Sequence, residues 1–71
     1  MQIYPFTDIS HGIIGQITSL DNGSKLMFDI SSKLSPQKGD EILKEGKIWR
    51  CIENKETDKP DVDRVKIAFV G

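Results

Sequence analysis

An all-β barrel of five short strands, folded as one domain over residues 1–71, is the architecture this sequence predicts. Three observations carry it. Apolar and polar residues alternate in Lys25-Leu26-Met27-Phe28-Asp29-Ile30-Ser31 and again in Arg64-Val65-Lys66-Ile67-Ala68-Phe69, the period of two that sends one strand face into a core. Turn residues interrupt the chain at short intervals, at Asp21-Asn22-Gly23-Ser24, Pro36 to Gly39, Glu45-Gly46 and Pro60. So short a chain buries only about 60 % of its unfolded surface, so every apolar strand face must be used and the sheet edges hidden, which closure does most directly.

Each element follows in order. Ile3, Pro5 and Phe6 suggest a first strand, and Pro5, which lacks an amide donor, makes it an edge or bulges it. A second strand runs from about Gly12 to Thr18, with Ile13, Ile14 and Ile17 as its apolar residues; Gly12 and Gly15 point to a bulge or a close backbone approach. The Asp21 to Ser24 turn leads into the third strand, Lys25 to Ser31. Its Leu26, Phe28 and Ile30 face the core, while Lys25, Met27 and Asp29 face outward. Ser31 to Asp40 is a polar connection with room for one helical turn at Ser32 to Leu34. Glu41 to Ile52 reads as a tight hairpin through Glu45-Gly46, or as a loop and one strand. Asn54 to Asp63 is highly charged and is read as a solvated loop, and Arg64 to Val70 is the closing strand. The expected core is Leu26, Phe28, Ile30, Ile42, Ile48 or Trp49, Val65 and Ile67.

Composition excludes several classes of function. Ten Lys and Arg against eleven Asp and Glu give a net charge of −1, so no bulk electrostatic footprint for nucleic acid exists, although a local patch is possible. One cysteine, Cys51, cannot form an internal disulfide, and with His11 as the one histidine it cannot build a multi-cysteine metal site. No metal and no cofactor are therefore expected; the single cysteine fits a reducing compartment or no redox constraint at all, and a cytoplasmic setting is expected. No apolar stretch is long enough for a membrane span or a signal peptide, the longest being Ile67 to Val70. No carboxylate pair, triad or phosphate-cradling glycine loop is spaced for catalysis, and so small a barrel has no room for a deep pocket, so the chain is not read as an enzyme.

The order of features resembles the cold-shock domains, small five-stranded OB barrels. Ile3-Tyr4-Pro5-Phe6-Thr7 falls on that family's V-x-W-F-N strand and Gly12-Ile13-Ile14-Gly15-Gln16-Ile17, with one extra residue, on its K-G-[FY]-G-F-[IV] strand. Leu26-Met27-Phe28-Asp29-Ile30-Ser31 follows the alternation of V-F-V-H-F-S, and Lys44-Glu45-Gly46 through Pro60 to Val65 has the length and proline of the final part. A more partial similarity, over Asn22 through Asp40, is to translation initiation factor one, another OB barrel. The resemblance implies a five-stranded OB-like barrel of cold-shock type that binds single-stranded RNA or DNA on its outer face, by base stacking and phosphate contacts. Pro5, Ile14, Gln16, Met27 and Asp29 stand where the family has its rings and histidine, so a weakened, degenerate face is expected.

On that face the candidate nucleic-acid-binding residues are Tyr4, Phe6, His11, Lys25, Met27, Lys33 and Arg50, with Lys38, Lys55 and Arg64 as further backbone contacts. Each has a plainer structural alternative. Phe6 suits a core or rim position, and His11 a solvated loop. Trp49, between Ile48 and Ile52, suits the core better than a stacking platform. Cys51 beside Arg50 is expected to be a buried, inert thiol. Two functions follow: a weak single-strand nucleic-acid binder, or a protein-interaction module that reuses the outer face, with Met27 as an adaptable apolar contact.

Overall fold

In a computed structural model, the protein is all-β; the structure describes the backbone of residues 3–71 and side chains from residue 8 onward. Six strands form one sheet: β1 (Ile3–Asp8), β2 (Ile13–Leu20), β3 (Lys25–Ser31), β4 (Glu41–Lys44), β5 (Lys47–Glu56) and β6 (Val62–Phe69), in the order β1-β4-β5-β6-β3-β2. Strands β2 to β6 run antiparallel to their neighbours, and β1 joins β4 in parallel.

The expected barrel of five strands, closed or nearly so, is corrected in part: five antiparallel strands and the parallel β1 form one sheet, and it does not close. Glu45 and Gly46 take positive φ, 53° and 79°, the two-residue turn that matches strand twist, so Glu41–Lys44 and Lys47–Glu56 are separate hairpin strands. Closure fails because β1 and β2 lie at opposite ends of the strand order, and no ladder joins them among the described residues. A 3-10 helix, Ile9–Gly12, connects them; it lies against β4 and contributes the fully buried Ile9 to the core. The charged stretch read as a loop is likewise corrected. Glu53, Asn54, Lys55 and Glu56 are strand residues paired with Lys66, Val65, Arg64 and Asp63, and only the tip from Thr57 to Asp61 lies outside the strands. Charge does not distinguish the two, because an outward strand face tolerates it as well as a loop does.

A single sheet with no second layer buries a face by curling around it. Phe28 and Ile30 of β3, Val65 and Ile67 of β6, Trp49 and Cys51 of β5 and Ile42 of β4 form one cluster with Ile9, against which Ile13, Leu26 and Leu34 pack. The alternation that predicted this core is the alternation observed, and of the pair Ile48 and Trp49 it is Trp49 that lies inside, 7 % exposed, its ring edge-to-face on Phe69 with centroids 5.3 Å apart. The connection from β3 to β4 closes over one end: Gly39 N–H donates to the Cys51 carbonyl and Cys51 N–H to the Asp40 carbonyl, both at 2.8 Å. Leu34 in that connection packs so closely on Gly12 that an added Cβ there would lie 2.5 Å from its Cδ1, which accounts for that glycine. No described helix is long and apolar enough to cross a membrane.

Candidate functional site

Register places the outward residues of three strands side by side. Asp29 of β3 pairs with Ile14 of β2 on one side and with Arg64 of β6 on the other; Met27 pairs with Thr18 and Lys66. Between Ile14 and Thr18, three residues of β2 face Phe28 alone, a two-residue excess that makes a bulge. Gly15 sits in it at φ 76°, a left-handed backbone that glycine adopts without penalty. Because the strand bows away from β3 there, an open hollow of about 340 Å³ forms on the outer face, bounded by Ile14, Gln16, Met27, Asp29 and Arg64, with Phe28 at its base. Four of these, Ile14, Gln16, Met27 and Asp29, are positions that the sequence places on the ligand-presenting face.

The hollow mixes a flexible thioether and an aliphatic wall with one ion pair. Arg64 donates from Nε to Asp29 Oδ1 at 2.9 Å, and the hydrogen bond and charge of Asp29 raise the guanidinium pKa further. Across the rest of the face the cations are also matched. Lys25 lies 3.0 Å from Asp21, Arg50 2.7 Å from Glu41, and Lys55 and Lys66 both reach Glu53, at 3.3 and 3.5 Å. The hydrogen bond from Lys55 and the charges of both lysines hold the Glu53 carboxyl below its usual range.

The candidate nucleic-acid residues whose side chains are described are spread over several elements. Met27 lies in the hollow, Lys25 and Arg50 are in ion pairs, His11 is exposed on the 3-10 helix between β1 and β2, and Lys33 is exposed in the β3–β4 connection. The side chains of Tyr4, Pro5 and Phe6 lie outside the described residues. Arg64, a candidate backbone contact by sequence, pairs with Asp29 through a register between residues 35 apart in the chain that no local signal carries.

Other polar groups are engaged structurally. Asp8 accepts from Ser10 N–H at the start of the 3-10 helix and from Glu45 N–H in the β4–β5 turn, both at 2.7 Å. Lys44, 4 % exposed beside that turn, reaches Glu45 at 3.0 Å. Asn54, the inward residue of β5's second half, donates to Ser35 Oγ at 2.6 Å and to the Pro36 carbonyl, tying the β3–β4 connection down. Cys51 is buried, and burial pushes its thiol pKa up. Among the described residues no group of three potential metal ligands occurs. No protein-family model, curated protein or solved structure matches the chain.

Proposed function

We propose that this chain is a protein-interaction module that receives an apolar side chain of a partner in the hollow between the β2 bulge and β3. One observation carries the reading: Ile14 and Met27 meet at an open depression whose single cation, Arg64, is already held by Asp29. A methionine and an isoleucine around a shallow hollow favour an adaptable apolar contact. The Asp29–Arg64 pair on its rim favours orientation of a polar partner group, since the remaining guanidinium donors are exposed. Single-strand binding needs cations available to phosphate and rings available to bases. On the outer face five cations are paired to four carboxylates, Glu53 serving both Lys55 and Lys66, and the positions corresponding to cold-shock rings hold Ile14, Gln16 and Met27. A cold-shock-type relationship stays confined in this proposal to the alternation of Leu26 to Ser31.

Selection of a random peptide library on the folded chain tests the proposal, with Met27→Glu as the comparison. Selected peptides should carry a common apolar anchor and lose at least tenfold in affinity for the Glu variant. Equal binding to both proteins would place the contact elsewhere and overturn the reading.

A further inference from the structure

The two edges of the sheet differ in chemistry. β1 contains Pro5, which has no amide N–H to donate, and its register with β4 breaks between Tyr4 and Asp8. β2 pairs with β3 on one side and, among the described residues, with no strand on the other. It holds no charged residue and no proline over Ile13–Leu20, in a chain that is 30 % charged. Ile14 to Ser19 are all exposed, Ile14 at 44 % and Ile17 at 40 %. Sheet edges are ordinarily guarded by lysine, proline, a bulge or a covering element. The bulge at Gly15 is the guard that β2 has, and beyond it Thr18, Ser19 and Leu20 keep regular register with β3.

We propose that β2 is a homodimer edge, at which two copies of the chain pair their β2 strands antiparallel about a two-fold axis and join their sheets. A second copy suits this edge because isologous pairing sets the strand against itself. A strand without charge then meets no like charge, and exposed isoleucines meet an equally neutral, partly apolar strand. The backbone N–H and C=O groups of Thr18–Leu20 that point away from β3 gain partners in the same step. The assembly closes at two: it consumes both β2 edges and leaves outward only the β1 edges, which Pro5 and the register break disable for further pairing. The bulge keeps the contact short, so association in the micromolar range is expected. This inference goes beyond the docking proposal and does not depend on it, because the hollow opens on the sheet face and the dimer uses the rim.

Sedimentation velocity of the full chain from about 10 µM to about 1 mM tests it, using wild type, Ile17→Lys, Ser19→Lys and Met27→Glu, each with its circular dichroism checked. The expected result is a rise from the 8.0 kDa chain mass towards twice that value for wild type and Met27→Glu, and at least tenfold weaker association for both lysine variants. Hydrogen exchange on wild type alone supplies the second readout: amides of Thr18 to Leu20 should gain protection as concentration rises. A monomer at every concentration, association indifferent to both lysines, or growth past the dimer would overturn the proposal. Loss of peptide binding in Met27→Glu with an intact dimer would separate the two proposals.

Discussion

Asp29 and Arg64 are register partners on β3 and β6 and meet through a 2.9 Å hydrogen bond from Nε to Oδ1 at the rim of the outer-face hollow. Their pairing removes from the face a guanidinium that would otherwise face solvent alone. Asp29→Ala should therefore leave stability almost unchanged, as for most surface pairs, and release Arg64 to polyanions. Fluorescence anisotropy with a labelled pyrimidine-rich oligonucleotide should show weak, salt-sensitive binding at low salt where wild type shows no saturable binding. Adding Gln16→Phe and Met27→Phe should contribute about 1 to 3 kcal/mol for each ring that stacks. No gain from any of these changes would mean that the face lacks more than rings and a free cation.

Phe28 is buried at the centre of the cluster and also forms the base of the hollow. Its truncation to Ala should cost about 3 to 5 kcal/mol, much or all of the stability of so small a domain. Urea denaturation followed by Trp49 fluorescence measures this directly. An unchanged midpoint would refute the assigned core.

Asp8 links the 3-10 helix to the β4–β5 turn, and the hydrogen bond from Ser10 is the main cause of a carboxyl pKa below its ordinary value. A carboxyl with a depressed folded-state pKa contributes stability that is fully present above its unfolded pKa of about 4 and is lost as pH falls through the folded value. Asp8→Ala should lower stability at neutral pH by about 1 kcal/mol, as loss of a helix cap does. The difference between variant and wild type should shrink below about pH 4. Thermal melts across pH 2 to about 7 check both statements, and a difference constant with pH would show that the carboxylate charge does not matter there.

Cys51 should label slowly. Its thiol is buried in the core and its pKa is raised, so at neutral pH neither access nor thiolate favours reaction. Modification by a thiol reagent should follow the rate of unfolding and accelerate in Phe28→Ala. Rapid labelling of the native wild type would contradict the core assignment of β5.

How far the sequence foretold this structure depends on whether the signal was local. Leu26, Phe28, Ile30, Val65 and Ile67 were legible because alternation reports burial within a single strand. Gly12 and Gly15 were legible as marks of close approach or bulging, and they prove to be one of each. The second half of β5 was not, because Glu53, Lys55 and Glu56 look like a solvated loop until their partners on β6 are known. The open seam was hidden for the same reason. Nothing in Ile3 to Asp8 says that this segment runs parallel to β4. Of the hollow, Met27 and Asp29 could be assigned to one face by parity and Ile14 and Gln16 by the cold-shock resemblance, whereas Arg64 as the partner of Asp29 and the bulge geometry around Gly15 required the register between strands.

The central claim, an outer face suited to protein contact in preference to nucleic acid, is tested most directly by an NMR titration of the isotope-labelled chain with a pyrimidine-rich single-stranded oligonucleotide at low salt, read residue by residue. The expected result is no saturable shift at Lys25, Met27, Asp29, Arg50 or Arg64. Saturable shifts converging on the Met27 to Asp29 face and persisting as salt is raised would contradict it and restore the single-strand binder.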